Sequence, residues 1–166
     1  MDLYDDFLSE NDLNSIIERV TGPRFPWYLG TVVPKELFKE NLLYNFQFGH
    51  ILFNDETGNV SSGEFNYFTP LLLKLNIKVL YRMKINLNPI ASKIMEHGYH
   101  VDNHIENCKT SIFYLNTNNG YTKFEETGEK IKSVKNRLIT FKTSKRHTGT
   151  TCTDASQRLV LNINYS

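Results

Sequence analysis

Three residues have the types and the spacing of a metal site: His100 and Asp102, which lie two apart, and His147 further along the chain. If residues 100–102 are extended, the imidazole and the carboxylate share one face of the strand and can bind one ion. Two histidines and one carboxylate on one face of an iron ion leave three coordination positions open. Oxygen activation requires such positions, so the triad predicts a metal centre for oxygen chemistry.

A single arginine near the end of the chain is the residue best suited to hold an anionic ligand. Arg158 begins the last predicted strand, and alternation places Val160, Asn162 and Asn164 on its face, with hydrophobic residues on the other. A buried guanidinium requires an anionic partner, and a carboxylate can accept two parallel hydrogen bonds from it. From the residues alone, the alternative is an edge strand that begins with a solvated arginine.

Five motifs follow one another in the second half of the chain: residues 100–103 (HVDN), residues 112–116 (IFYLN), residues 120–124 (GYTKF), His147 and Arg158. Their order resembles that of prolyl-hydroxylase-type 2-oxoglutarate oxygenases, over about residues 79–165. The resemblance implies a double-stranded β-helix with the metal near one open end.

The resemblance also implies roles for individual residues. His100, Asp102 and His147 are expected to bind Fe(II), and Arg158 the distal carboxylate of 2-oxoglutarate. The hydroxyl of Tyr114 is expected to hydrogen-bond the same carboxylate, and Thr122 and Asn162 to contact this co-substrate. The implied cofactors are Fe(II), 2-oxoglutarate and dioxygen, with ascorbate as a candidate reductant. These positions belong to the motifs above, except Asn162, which is included because it shares a strand face with Arg158.

Two departures from the family pattern affect the co-substrate site. The family often has two glycines before the threonine, whereas here Asn119-Gly120 is followed by an additional Tyr121. A second co-substrate tyrosine often precedes the HxD motif by about ten residues, and this chain has none there except Tyr99, next to the ligand. Arg82, Lys84 or Asn86 on the preceding strand are candidates for that role.

The resemblance implies a dioxygenase that hydroxylates an unactivated C–H bond and releases succinate and carbon dioxide. A prolyl residue in a protein or peptide is the first expectation for its substrate. A free amino acid or another small molecule is the enzymatic alternative. A jelly roll that binds a metal or small ligand without turnover is the alternative from a different class.

The elements that must position these residues are helices followed by many strands. Leu13, Ile16, Ile17 and Val20 recur at helical spacing after a capping box that begins at Ser9. Residues 45–53 are predicted to form a strand, Pro70 to begin a second helix, and residues 77–87 to form a long half-buried strand. The pattern predicts an α+β, mainly β fold: a double-sheet, cupin-like jelly roll with N-terminal helices packed on one sheet.

We expect one domain over residues 1–166, with helical support over about residues 1–76 and the β-helix core over about 77–165. The net charge of +1 argues against nucleic acid as a partner. Without a signal-peptide pattern or a long apolar run, the chain is expected to be soluble and cytoplasmic and to have no membrane partner. The sequence does not indicate an oligomeric state.

The remaining histidines and the tryptophan have less specific patterns. His97 is expected to be solvated and His50 to be a hydrogen-bonded core histidine. His104 is a weaker candidate for a role near the metal or the substrate. Trp27 is expected to pack in the core rather than to line a substrate groove, and Arg146 to face away from the metal ligands.

Overall fold

The structure is a computed structural model that describes residues 1–34, 36, 45–54, 59–102 and 105–166. It has two α-helices, α1 (Glu10–Thr21) and α2 (Thr69–Leu75), the latter preceded by a 3₁₀ helix (Gly63–Phe68). The strands are β1 (Asp2–Tyr4), β2 (Tyr28–Gly30), β3 (Gln47–Asn54), β4 (Asn59–Val60), β5 (Leu80–Pro89), β6 (Lys109–Tyr114), β7 (Tyr121–Phe124), β8 (Lys130–Lys132), β9 (Arg137–Lys142), β10 (His147–Gly149) and β11 (Gln157–Tyr165).

The strands form two antiparallel sheets. The large sheet has the order β1-β9-β6-β11-β5-β3-β2, with β4 paired to β3, and the small sheet has the order β10-β7-β8. Each strand of the small sheet follows or precedes a strand of the large one in the chain, so the polypeptide passes repeatedly between the sheets. This arrangement confirms the predicted mainly β jelly roll.

The large sheet separates two hydrophobic clusters, so the molecule has three layers. On one face, Leu13, Ile16 and Val20 of α1 pack with Leu161 and Ile163 of β11. On the other face, between the two sheets, a smaller cluster consists of Ile112, Tyr114, Phe124, Ile131, Ile139, Phe141 and Val160. The N-terminal helices therefore cover one sheet, as the sequence predicted.

The local signals for the two helices are confirmed. The side chain of Ser9 accepts a hydrogen bond from the backbone N–H of Asp12, and the helix ends at Gly22. Pro70 lies in the first turn of α2, where its missing N–H costs no intrahelical hydrogen bond.

The structure differs from the sequence-based expectation in the first 76 residues. Besides helices and the predicted strand β3, they contain β1, β2 and β4, and both β3 and β1 pair with strands of the core. The short strand β1 has exposed side chains and no clear alternation, which explains why the hydrophobic pattern did not reveal it. This segment therefore extends the large sheet at both edges in addition to covering it with helices.

None of the helices in the described ranges is long and apolar enough to cross a membrane.

The two environments of β11 lead to a stability prediction. Leu161→Ala should lower the free energy of unfolding by about 2–5 kcal/mol, because Leu161 is fully buried between the sheet and the helices. Leu73→Ala is the matched control, since Leu73 is 75% exposed and its truncation should change stability by less than about 0.5 kcal/mol. Urea denaturation measures both, and equal losses would contradict the packing described.

Candidate active site

A cavity of about 250 Å³ opens between the two sheets. Its wall on the large sheet comes from the polar faces of β5 and β11, and the small sheet contributes Thr122, His147 and Gly149. The segment that contains His97, His100 and Asp102 completes the wall. The cavity therefore contains every residue predicted for the metal site, together with Arg158, Thr122 and Asn162.

His100, Asp102 and His147 converge on one point of this cavity. Their potential ligand atoms all lie within 4.8 Å of one another. The Nε2 atom of His100 is 3.8 Å from one carboxylate oxygen of Asp102, and the Nε2 atom of His147 is 3.9 Å from the other. These separations suit three atoms that surround an ion.

Both histidines have the tautomer that a metal ligand requires. The Nδ1 atom of His100 lies 3.0 Å from the carbonyl oxygen of Gly98, and that of His147 lies 3.1 Å from the carbonyl oxygen of Lys145. A carbonyl can only accept, so Nδ1 must carry the proton in each ring. The lone pair then belongs to Nε2, the atom on the side of Asp102.

The route by which the triad converges differs from the expected one. Residues 100–102 do not form a strand, and the shared-face argument for His100 and Asp102 is therefore wrong in its detail. Instead His100 makes an isolated antiparallel bridge to His147, with two backbone hydrogen bonds of 3.0 Å. This bridge brings together two histidines that are far apart in the sequence.

Asp102 is fixed by side chains of the large sheet rather than by its own segment. Thr110 donates a hydrogen bond to one carboxylate oxygen at 3.0 Å, and Asn164 donates to the same oxygen at 3.3 Å. Asn162 donates to the other oxygen at 3.2 Å. Thr110 and Asn164 are also hydrogen-bonded to each other, so the carboxylate rests on a connected polar network.

This environment keeps the carboxylate ionised. Burial by itself would raise the pKa of Asp102, but the charges of His147 and His100 and the hydrogen bonds from Thr110 and Asn164 hold the pKa below its usual value. For His147, burial is the main effect and lowers the pKa of the imidazole. Near pH 7 the site thus offers an anionic oxygen and a neutral imidazole, the forms that bind metals.

Arg158 is buried in the cavity wall, with 2% of its surface exposed. Its Nε atom donates to the hydroxyl of Ser133 at 2.8 Å, and one Nη atom donates to the hydroxyl of Thr122 at 3.3 Å. Burial lowers the pKa of Arg158, and no carboxylate among the described residues compensates its charge. The second Nη donates to no described residue, so a guanidinium edge is left for a ligand.

Tyr114 and Thr122 form one hydrogen-bonded chain with this arginine. The Tyr114 hydroxyl donates to the Thr122 hydroxyl oxygen at 2.8 Å, and the guanidinium lies 5.7 Å from the Tyr114 ring centre. Thr122 lines the cavity, whereas Tyr114 lies behind it and is fully buried. Because the Thr122 oxygen already accepts two hydrogen bonds, its own proton is left for an acceptor in the cavity.

Gly120 makes room for Arg158. A Cβ atom at this position would lie 2.7 Å from Cδ of Arg158 and 2.8 Å from the backbone oxygen of Thr151. Only glycine permits the guanidinium stem to pass so close to the backbone. The glycine that this sequence keeps in that motif therefore lies against the stem of Arg158.

Asn162 lies in the cavity wall, but its recorded hydrogen bond is to Asp102. Its contact with a co-substrate remains a prediction. The sequence analysis placed Asn164 on the same face without assigning it a role, and this residue also holds Asp102. The alternation that places both side chains opposite the hydrophobic face was the signal that could have identified them.

Two asparagines of β5 line the cavity. From the sequence, Asn86 was one of three candidates for the second co-substrate contact, and Asn88 was not considered. Asn88 lies directly across from Arg158 and Asn86 across from Val160, and both line the cavity. Within the described part of the chain, the amide nitrogen of Asn88 and the amide oxygen of Asn86 are buried without a hydrogen-bond partner. Both groups lie on β5, the strand on which the sequence analysis placed the candidates for the family's second co-substrate contact.

His97 was expected to be solvated, and this expectation is wrong. The residue is buried and lines the cavity. Burial, with the nearby charges of Arg158 and His100, lowers the pKa of His97 to about 3, so the ring is neutral near pH 7. The backbone N–H of His97 donates to Gly149 of β10, which draws the whole segment into the cavity wall.

The other residues considered from the sequence lie outside the cavity. His50 is a core histidine that contacts the Pro26 carbonyl and the Ser62 hydroxyl, as expected. Trp27 packs against the helical core and donates to the Val20 carbonyl. Arg146 is exposed and paired with Glu125. His104 lies outside the described residues.

No protein-family model and no curated protein matches the sequence. Solved structures do match. A prolyl hydroxylase from Trichoplax adhaerens, in complex with a peptide of the hypoxia-inducible factor, superposes with a TM-score of 0.65 at 15% identity. The match covers 99% of this chain and 82% of that one.

Two further structures widen this comparison. A viral collagen prolyl hydroxylase from Paramecium bursaria Chlorella virus 1, in complex with 2-oxoglutarate, has a TM-score of 0.62 at 15% identity, over 98% of this chain and 93% of that one. A non-haem, α-ketoglutarate-dependent epimerase from nogalamycin biosynthesis has a TM-score of 0.67 at 8% identity, over 99% and 76%. At these identities the likeness shows the fold: this chain has the jelly roll of the 2-oxoglutarate oxygenase structures.

Proposed function

We propose that the protein is an Fe(II)- and 2-oxoglutarate-dependent dioxygenase that hydroxylates an unactivated C–H bond. The observation that carries this proposal is the presence of two complementary features in one cavity. One is a His-Asp-His cluster with both Nε2 lone pairs on the side of the carboxylate. The other is a buried arginine without a carboxylate partner among the described residues. A protein that only binds a metal has no need of the second feature.

The residues around Arg158 fit a dicarboxylate co-substrate. The free guanidinium edge and the hydroxyl proton of Thr122 can donate to a distal carboxylate. The amide nitrogen of Asn88, across from Arg158, is a further buried donor. Buried donors of this kind cost free energy unless a ligand accepts their hydrogen bonds. Tyr114 orients Thr122 in this arrangement, and a direct contact of its hydroxyl with the ligand remains part of the proposal.

The cluster fits Fe(II), which when bound would supply the redox chemistry that couples decarboxylation of 2-oxoglutarate, to succinate and carbon dioxide, with hydroxylation. His100 and His147 would provide neutral nitrogen ligands, and Asp102 an anionic one. Thr110, Asn162 and Asn164 hold that carboxylate in place, so little reorganisation accompanies binding. The buried walls from β5 and β11 limit the access of water to the centre.

For the substrate, a prolyl residue in a protein or peptide is our first proposal. Support comes from the motif order and from the fold shared with two prolyl hydroxylase structures, one of which was solved with a peptide. A groove of about 410 Å³ adjoins the metal cavity and shares Gln47 and Lys84 with it. This groove offers room for a substrate larger than the metal cavity itself can hold. A free amino acid or another small molecule is the alternative.

The separate roles of the metal ligands and of Arg158 can be tested by measuring the affinities for metal and for 2-oxoglutarate by titration calorimetry, with Mn(II) in place of iron. His147→Ala should weaken metal binding by more than the 10–100-fold typical of changes around metal ligands, because it removes a ligand itself. Arg158→Ala should leave metal binding largely intact but weaken 2-oxoglutarate by about 10–100-fold, the worth of a charge-assisted hydrogen bond.

Arg146→Ala is the matched control for these variants. This arginine neighbours His147 in sequence but is exposed and bound to Glu125. It should change neither affinity by more than about twofold, as expected of a surface ion pair. Equal effects of His147→Ala and Arg158→Ala on both ligands would contradict the assigned roles. The enzymatic proposal itself fails if oxygen- and iron-dependent formation of succinate from 2-oxoglutarate is absent.

Gly120→Ala tests how Arg158 is seated. The added methyl group should displace the arginine stem or the backbone at Thr151 and so weaken 2-oxoglutarate binding by about tenfold or more, while the Mn(II) affinity stays near the wild-type value. The control is Gly63→Ala, because a Cβ atom there meets nothing within 4 Å. If both variants bind 2-oxoglutarate like the wild type, the tight fit at Gly120 is not required for the ligand.

A further inference from the structure

Two cationic side chains of β5 line the metal cavity and have no role in the function proposed above. Arg82 and Lys84 alternate with Met83, which is buried in the helical core, and therefore share the cavity face of the strand. Both are half-buried. Lys84 lies directly across from Asn162 and Arg82 across from Asn164, the two residues whose amides hold Asp102. The two cations are thus at the metal end of the cavity.

Neither cation has an ion-pair partner within the described part of the chain. No described residue forms a hydrogen bond or an ion pair with the side chain of Arg82 or Lys84. Among the described residues that line the cavity, Asp102 is the one acidic residue, and its two oxygens accept hydrogen bonds from Thr110, Asn162 and Asn164. Half-buried charges without an ionic partner are unfavourable, which points to an anionic ligand that the described residues do not supply.

The position of Lys84 depends on a glycine of the neighbouring strand. A Cβ atom at Gly49 would lie 2.7 Å from Cε and 3.2 Å from Nζ of Lys84. Burial and the charge of Arg82 lower the pKa of Lys84 to about 8, in spite of the opposing effect of Asp102. The chain therefore makes space for an ammonium group at a position where burial away from water and a second cation both disfavour its charge.

When Fe(II) and 2-oxoglutarate are bound, the charges at the centre balance without Arg82 and Lys84. Fe(II) carries two positive charges, whereas Asp102 and the two carboxylates of 2-oxoglutarate together carry three negative ones. Arg158 supplies the balancing positive charge, so the loaded centre is neutral. Arg82 and Lys84 then remain in the same cavity without an anion from any described residue.

We propose that Arg82 and Lys84 bind a carboxylate of the substrate and so select a substrate that carries one near the hydroxylated carbon. This inference rests on the proposed oxygenase function and specifies its substrate class. The carboxylate can belong to a free amino or imino acid, to the C-terminus of a peptide or to an acidic residue beside the prolyl residue.

The position of the pair favours the substrate over the co-substrate. Lys84 and Asn88 are four residues apart on β5, about 14 Å along an extended strand, and Asn88 is the residue opposite Arg158. Lys84 also lines the adjoining groove, together with Tyr28, Gly49 and Ile51, on the side of β5 away from β11 and Arg158. A carboxylate held there belongs to a molecule that approaches from the groove.

Matched acid and amide probes test this proposal. The pairs are L-proline and L-prolinamide, N-acetyl-proline and its amide, and a short prolyl peptide with a neighbouring glutamate or glutamine. Their dissociation constants are measured by calorimetry on the protein loaded with Mn(II) and 2-oxoglutarate, without oxygen. We expect at least one acid to bind about 10–100-fold tighter than its amide, as one charge-assisted contact would give. The pair that shows the preference identifies the source of the carboxylate.

Variants assign that preference to the two cations. In Arg82→Gln/Lys84→Met the acid and its amide should bind within about threefold of each other, with weaker effects in the single variants. Gly49→Ala should also reduce the preference, since it displaces the ammonium group without removing its charge. Lys142→Met, which removes an exposed lysine of β9, is the control and should retain the wild-type preference.

Three results would overturn the proposal. The first is the lack of any acid preference across the panel in the wild type, and the second is an unchanged preference in the double variant. The third is a loss of 2-oxoglutarate affinity beyond about tenfold in the double variant, which would assign the pair to the co-substrate. A wild-type protein that binds no 2-oxoglutarate at all, before any probe is added, would instead refute the oxygenase function and the inference with it.

Discussion

The structure depends on a constraint in β11, whose successive side chains must satisfy opposite environments. Leu159, Leu161, Ile163 and Tyr165 complete the core beneath the helices, while Arg158, Val160, Asn162 and Asn164 form the floor of the space between the sheets. Because the side-chain period of a strand is two, a shift of one residue would place the arginine in the hydrophobic core. The burial of the aliphatic face therefore fixes the register that aligns the polar face. The same strand thus contributes to both stability and the candidate site. A change in its register would disturb the hydrophobic core and the site together.

The site contains more buried charge than a folded chain requires. Asp102 is stabilised by three hydrogen bonds and two neighbouring imidazoles, but Arg158 has only neutral hydroxyl partners among the described residues. Replacing such groups with packed hydrophobic residues often increases stability, so their presence indicates a role other than folding. The amide oxygen of Asn86 and the amide nitrogen of Asn88, which are buried without a hydrogen-bond partner among the described residues, also indicate a role other than folding. Ligand binding would satisfy these groups and should stabilise the native state by linkage.

Much of this arrangement could be predicted from the sequence, because it rests on strict alternation and on a few motif residues. The jelly roll, the capped helix at Ser9 and the core position of His50 followed from local patterns. The strand β1 did not, since it is short and exposed. The burial of His97 was also missed, because it results from a backbone hydrogen bond to Gly149, far away in the sequence. Long-range backbone pairing leaves no periodic signal, and the bridge between His100 and His147 is another example.

The fixation of Asp102 has a consequence for how such a site can change over evolutionary time. The carboxylate is held by Thr110 of β6 and by two asparagines of β11, so its location does not depend on the length of the segment that follows it. Surface loops generally tolerate insertions and deletions, but a functional residue that is positioned by the loop alone moves with it. Here the exposed turn around Glu106 and Asn107 can lengthen, shorten or acquire new contacts while the sheet keeps the carboxylate in place. This turn is free to diversify beside a centre that stays constant.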